Sequence, residues 1–156
     1  MQAATLRNQP TNRVHLLGNI INFLATGSET SGAYSLVEIT TAPGAGTPPH
    51  RQNADEELFY VLEGSYEFLH HDRQVTAGPG DHVLIQRGQA HAFRNIGSTN
   101  ARMLIINSPG GFHENFFIEA GDAIDAAFTT PVDGQPNLPV LMAAAQRYGI
   151  EFLPPA

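Results

Sequence analysis

Four side chains in the middle of the chain have the types and spacing to do chemistry together: His50, Gln52, Glu57 and His91. An imidazole and an amide two residues apart on an extended segment point to one face, because strand side chains alternate. Glu57 shares its face with Phe59 and Val61 in the strand that follows, and His91 shares one with Phe93. If the two segments are neighbouring strands, two imidazoles, a carboxylate and an amide converge in an interior lined by Phe and Val. That donor set suits a divalent metal, and the apolar walls of Phe59, Val61 and Phe93 suit a small organic substrate.

Each of these residues also has a plainer reading. Taken alone, His91 beside Phe93 is an ordinary hydrogen-bonded core histidine. Asp55, Glu56 and Glu57 form an acidic run of the kind that approaches a strand through solvent, and only the spacing to Gly64 selects Glu57 over its neighbours. His70 and His71 fall in a predicted hairpin turn and are expected in solvent. His82 alternates out of phase with Val83 and Ile85 and should point away from the pocket. His15 and His113 have no partner that the sequence names.

The elements that must position these groups are short and mostly extended. Two Gly-rich segments carry them, PGAGTPPHRQNADEELFYVLEG and GPGDHVLIQRGQAHAFRN. Apolar runs at 14–17 and 20–25 flank Gly18 and Asn19, a two-residue signal for a tight hairpin. A third strand is expected over 33–41, rich in β-branched and aromatic residues. The run 58–62 is apolar at every position, which predicts a strand buried on both faces. Further strands are expected at 65–69 and 74–77 around the turn HHDR, and at 83–85, 90–95 and 101–107. Short strands at such regular spacing read as an all-β sandwich or barrel.

The last quarter changes period. Phe116, Phe117, Ala120, Ile124, Ala127 and Phe128 recur at helical spacing and predict one or two short helices over 113–128. Asn137 offers an N-cap, Pro139 suits a first turn, and Val140, Leu141, Ala144 and Tyr148 make a stripe ended by Gly149. No internal repeat and no second domain is visible. The chain of 156 residues divides into an N-terminal arm over 1–12, a β core over 13–110 and a helical extension over 111–156. That length is enough for one core burying roughly two-thirds of its unfolded surface.

Composition excludes several classes. With no Cys there is no disulfide framework, thiolate metal site or cysteine nucleophile, and with no Lys there is no Schiff-base chemistry. The 15 acidic and 8 basic residues give a net charge of −7, and the arginines are scattered singly, so nucleic acid is not expected as a partner. No stretch reaches the roughly 18 apolar residues of a membrane span, and 1–12 lacks an apolar signal core, which leads to the expectation of a cytoplasmic protein.

The two Gly-rich segments resemble the paired motifs of the cupins. In the first motif Gly44, His50, Glu57 and Gly64 stand at the expected positions, with Gln52 where a second His is usual; in the second, Gly80, Gly88, His91 and Asn95 match and Gln86 replaces Pro. The flanks SPGGFHENFF and QRYGIEFLPP are similar to the tails of single-domain, quercetin-dioxygenase-like cupins. The resemblance implies an all-β jelly-roll β-barrel with short C-terminal helices, a divalent metal (iron, nickel, manganese, copper or zinc), and a homodimer. It carries His50, Glu57 and His91 over as ligands.

Gln52 is the departure. An amide oxygen is a weaker donor than imidazole, so either it ligates weakly or it holds a bound water while His50, His91 and Glu57 hold the metal. The implied function is a metal-dependent enzyme acting on a small molecule, a quercetinase-like dioxygenase in the first instance. Glu57 would then be the catalytic base, its pKa raised by burial. An isomerase or cyclase on the same site, or a binding or sensing module without catalysis, are the alternatives.

Overall fold

The computed structural model describes residues 4–154. Its strands are β1 (Asn12–Leu16), β2 (Asn19–Ala25), β3 (Ser35–Thr41), β4 (Gly46–Gln52), β5 (Glu56–Glu63), β6 (Tyr66–His70), β7 (Arg73–Ala77), β8 (His82–Ile85), β9 (His91–Asn95) and β10 (Ala101–Ser108). There follow helix α1 (His113–Ala120), β11 (Asp122–Ala123), helix α2 (Leu138–Arg147) and β12 (Ile150–Phe152). One sheet runs β11-β1-β2-β3-β10-β5-β8 and the other β12-β4-β9-β6-β7. All pairings given by their registers are antiparallel. The all-β jelly-roll expectation holds, but the sheets face each other as separate hydrogen-bonded layers and do not close into a continuous barrel.

Alternation explains how the layers meet. On β3 and β10 every second residue is buried, so Val37, Ile39, Met103 and Ile105 face inward from one sheet. From the other come Tyr66, Phe68 and Phe93. Phe59 reaches across to Phe68 with ring centroids 5.0 Å apart and to Phe93 at 5.8 Å. Such tilted aromatic pairs add to the transfer free energy of burial, and they fill the interior next to the histidines.

Several expectations change. The run 58–62 is not buried on both faces: Phe59 and Val61 point into the core while Tyr60 is 41% exposed and Leu58 and Leu62 are half-buried. The first hairpin turns at Leu17 and Gly18, both with positive φ, so Asn19 belongs to β2 and not to the turn. Asn19 is then free to tie three carbonyls, those of Leu16, Leu17 and Gly46, through its amide. The helical spacing over 113–128 delivers one helix, α1, after which 122–123 bridge back to β1. Of the N-terminal arm, 1–3 lie outside the described residues; further on, Arg7 pairs with Glu29 and the Thr11 amide donates to the Phe23 carbonyl.

Helix α2 forms as its sequence requires. The Asn137 side chain accepts from the Val140 amide, Pro139 stands in the first turn, and Gly149 leaves the helix at φ +73°. That glycine turns the chain directly into β12, which pairs with β4 and adds a strand to an extension expected to be helical. No helix among the described residues is long and apolar enough to cross a membrane.

Candidate metal centre

The geometry of β4 starts from two prolines. Pro48 and Pro49 have no N–H to give to a ladder, and the pairing of β4 with β9 slips between Thr47 and His50. The slip brings His50 opposite His91, with ring centroids 4.2 Å apart. It also brings the Pro48 carbonyl to His50 Nδ1 at 2.9 Å. On the other side of β4 the strand is held by β12, where Ile150 is paired with Gln52 and Phe152 with His50.

The turn at 86–89 does for His91 what the slip does for His50. Gly88, at φ +80°, donates its amide to the Gln52 carbonyl, and the Gln89 carbonyl lies 3.0 Å from His91 Nδ1. Both imidazoles therefore donate Nδ1–H to a backbone carbonyl and keep Nε2 as the ligating nitrogen, the arrangement that fixes a metal-binding tautomer. Asn95, the last residue of the second motif, is structural: its buried amide donates to the carbonyls of Thr41 and Thr99.

Glu57 completes the set. Nitrogens and oxygens of His50, Glu57 and His91, all buried, lie within 4.8 Å of one another. His91 Nε2 sits 2.9 Å from Glu57 Oε2. A lone pair and a carboxylate oxygen at that distance require a cation between them, either a proton on His91 or a metal. Two cis ligands at metal bond lengths of about 2.1 Å are themselves about 3 Å apart, so the spacing suits a divalent ion. Burial pushes His50 down to about 4, with the neighbouring His91 adding to the effect, which keeps it neutral and ready to ligate. For His91 burial acts downward, but the hydrogen bond and charge of Glu57 raise it above the ordinary imidazole value.

The expectation of a raised Glu57 pKa is overturned. Burial does push it up, but His113, His91 and His50 together outweigh that and bring the carboxyl down to about 2. Glu57 is thus an anion suited to holding a cation and is a weak proton acceptor. The buried carboxyl that is raised is Asp55, pushed to about 7 by its burial and then by the charge of Glu57.

Asp55, Asn107 and His113 belong to the site and were not selected from the sequence. His113 Nδ1 lies 3.2 Å from Glu57 Oε1 and 2.8 Å from Asn107 Oδ1. The Asn107 amide donates to Asp55 at 2.9 Å, and the Gln52 amide approaches the same carboxylate at 3.4 Å. Their phase was a usable signal: Asp55 alternates with Glu57 and Phe59, and Asn107 with Met103 and Ile105. His113 was hidden because it opens a helix and reaches Glu57 only through the packing of α1. Burial, the largest influence on it, holds His113 below the usual imidazole value.

Gln52 and Thr47, both on β4, each leave a buried oxygen without a hydrogen-bond partner among the described residues, Oε1 and Oγ1 respectively. Thr47 lines a small interior cavity of about 20 Å³ together with His50, Glu57, Phe59, Phe93 and His113. A second cavity of about 30 Å³ continues past His50 and His113 to Phe116, Ile150 and Phe152. Each holds little more than a water or two. Val61, expected in the pocket wall, is fully buried in the apolar core. His82 stacks on Tyr60 at the exposed side, as its phase predicted, and His70 bonds Gln89.

The chain is similar to several known proteins. A family model described as Cupin domain matches residues 37–107. A germin-like protein of Arabidopsis thaliana is 32% identical over 91 residues, covering 53% of this chain and 40% of the relative. An oxalate-binding protein of Thermotoga maritima is 27% identical over 64 residues, covering 41% and 53%. The chain therefore spans about half the length of these curated relatives. Among solved structures, the polyketide cyclase RemF from Streptomyces resistomycificus superposes with a TM-score of 0.55 at 25% identity, covering 69% of this chain and 80% of that one. A protein described as a predicted oxalate decarboxylase from Thermotoga maritima gives 0.57 at 19% identity, covering 68% and 99%, a likeness of fold.

Proposed function

We propose that this protein, whose residues 37–107 match a family model described as Cupin domain, is a metal-dependent enzyme acting on a small organic molecule. The observation that supports it most is the convergence of His50, Glu57 and His91, all buried, within 4.8 Å. The metal, when bound, supplies Lewis acidity to an oxygen of the substrate. The chain's own residues do the rest. His50 and His91 would present Nε2 from carbonyl-anchored rings, Glu57 would supply the negative charge, and Phe59 and Phe93 form the apolar wall of the cavity. With Glu57 this acidic, its part is to hold the cation, and the neutral ring of His113, which lines the same cavity, is the better-placed group to accept a substrate proton.

Quercetinase-like dioxygenation is the first reaction to test. The cavities of about 20 and 30 Å³ are too small for a substrate of flavonol size, so its entry would displace lining side chains such as Phe116, Ile150 and Phe152. A cyclase is the second reading, favoured by the likeness to the polyketide cyclase. Protein purified without chelator should contain close to one equivalent of iron, nickel, manganese, copper or zinc. Trace metal that does not rise on Gln52→His sinks the enzyme reading and favours a binding module. With metal present, oxygen uptake on adding flavonols or other enediols supports the dioxygenase, and turnover without uptake supports the cyclase or an isomerase.

We further propose a homodimer. The outward side chains of Leu58, Tyr60, Leu84, Leu104 and Ile106 lie side by side on β5, β8 and β10, with Leu84 52% exposed. A second copy of the same sheet face would cover this patch. Light scattering at micromolar concentration should give twice the monomer mass, and a monomer there contradicts it.

A further inference from the structure

We propose that Asp55 makes Gln52 an oxygen ligand, by holding the amide nitrogen and so leaving Oε1 facing inward to a cation. The inference rests on the metal-centre reading above and adds to it the residue that determines how its fourth position is filled.

A primary amide has a donor end and an acceptor end of nearly equal shape, and its surroundings decide which end faces the site. A carboxylate accepts only. Asp55 receives two amide groups at once: Gln52 Nε2, 3.4 Å from Oδ1 and 3.5 Å from Oδ2, and Asn107 Nδ2, 2.9 Å from Oδ2. Asn107 is itself oriented at its other end, where Oδ1 accepts from His113 Nδ1 at 2.8 Å. His113 in turn lies 3.2 Å from Glu57 Oε1. A single chain of contacts thus runs from Glu57 through His113, Asn107 and Asp55 to Gln52, linking two members of the centre without passing through the metal position.

The backbone of Gln52 is fixed as well. Its carbonyl accepts from the Gly88 amide at 2.8 Å, and β12 pairs with it at Ile150. With the main chain fixed and Nε2 turned toward Asp55, Oε1 is left buried and without a partner among the described residues. A buried oxygen with no donor is unfavourable, and on the inward face of β4, in phase with His50, a cation is the partner that satisfies it.

The probe is cobalt(II), titrated at pH 8 into metal-free full-length protein, with affinity and visible absorption read together. Wild type, Asp55→Asn, Gln52→Leu and the double variant form a cycle. An amide at 55 offers both a donor and an acceptor and no longer selects the orientation of Gln52. Asp55→Asn should therefore weaken cobalt binding about tenfold and shift its absorption bands. Gln52→Leu should do the same, and the double variant should bind no more weakly than Gln52→Leu alone. Equal weakening by Asp55→Asn in both backgrounds, or no change in affinity and spectrum, overturns the proposal. Asp55→Ser gives the same comparison if the first variant does not fold. Loss of cobalt binding that follows His50 and His91 but is indifferent to Gln52 defeats this inference alone; absence of cobalt binding by wild type defeats the metal-centre reading with it.

Discussion

The two halves of the centre are held in different ways. On the histidine side, His50 and His91 are anchored by the main-chain carbonyls of Pro48 and Gln89. On the acidic side, Glu57 and Gln52 are anchored by other side chains, His113, Asn107 and Asp55. A carbonyl anchor survives any substitution that keeps the backbone path, so it travels with the glycines and prolines that shape the turn. A side-chain anchor is lost with one residue change. The acidic half is therefore where this chain can tune its chemistry, and it is also the half that holds Gln52, the departure from the motif the sequence resembles.

The sharpest way to break the comparison is to remove a ligand from the anchored half. His50→Ala or His91→Ala should lower cobalt affinity by more than about 100-fold, beyond what loss of an outer partner produces. A smaller effect, read by competition with a chelator, would mean that the histidines are not the main anchors. Gln52→His adds an imidazole to the tunable half and should raise affinity for zinc or nickel by at least about tenfold. An unchanged affinity would mean that β4 does not direct position 52 at the metal.

Asn107→Leu should cost about 2–4 kcal/mol, because Asp55 and His113 each lose a buried partner, and should lower the melting temperature by about 4–16 °C. A melt within 2 °C of wild type, in the same units of error, would deny the side-chain anchoring that separates the halves.

The smallest effect is in pH. His50 is depressed to about 4, so its contribution is complete above the unfolded value near 6.5 and is lost as pH falls toward 4. Asp55 is raised to about 7, so its contribution is complete below the unfolded value near 3.8 and is lost as pH rises through 7. The two halves thus titrate in opposite senses. In metal-free protein, Asp55→Asn should be more stable relative to wild type at pH 8 than at pH 5. Thermal melts at both values check this, and the reverse order would contradict the placement of Asp55.

The same division governs what could be read from the sequence. His50, Glu57 and His91 stand at fixed spacings from glycines that turn the chain, so local order places them. Gln52 was legible as a departure, but its role depends on Asp55, which looked like one member of a solvated acidic run. Asn107 sits opposite Glu57 only through the pairing of β10 with β5, and His113 arrives on α1. Phase could mark Asp55 and Asn107 as inward-facing, but which groups they meet depends on packing between distant parts of the chain. The positions of β1–β3 and β5–β10 were legible to within a residue or two, whereas most of β4 falls on a stretch rich in Pro and Gly that reads as a loop. Missed were the one-sided burial of 58–62, which needs the location of β5 beside β8, and the three residues of β12, too few to have a period.

That last strand has a consequence for solubility. Without β12, β4 would be the border of its sheet, presenting unpaired amide and carbonyl groups next to Ile150's vacated apolar seat. An open border of this kind invites a strand from another molecule. Pro48 and Pro49 already blunt one end of it, and β12 covers the other at His50, Arg51 and Gln52. The residues that guard the chain against sticking to its neighbours are thus the same ones that hold its ligand strand in place.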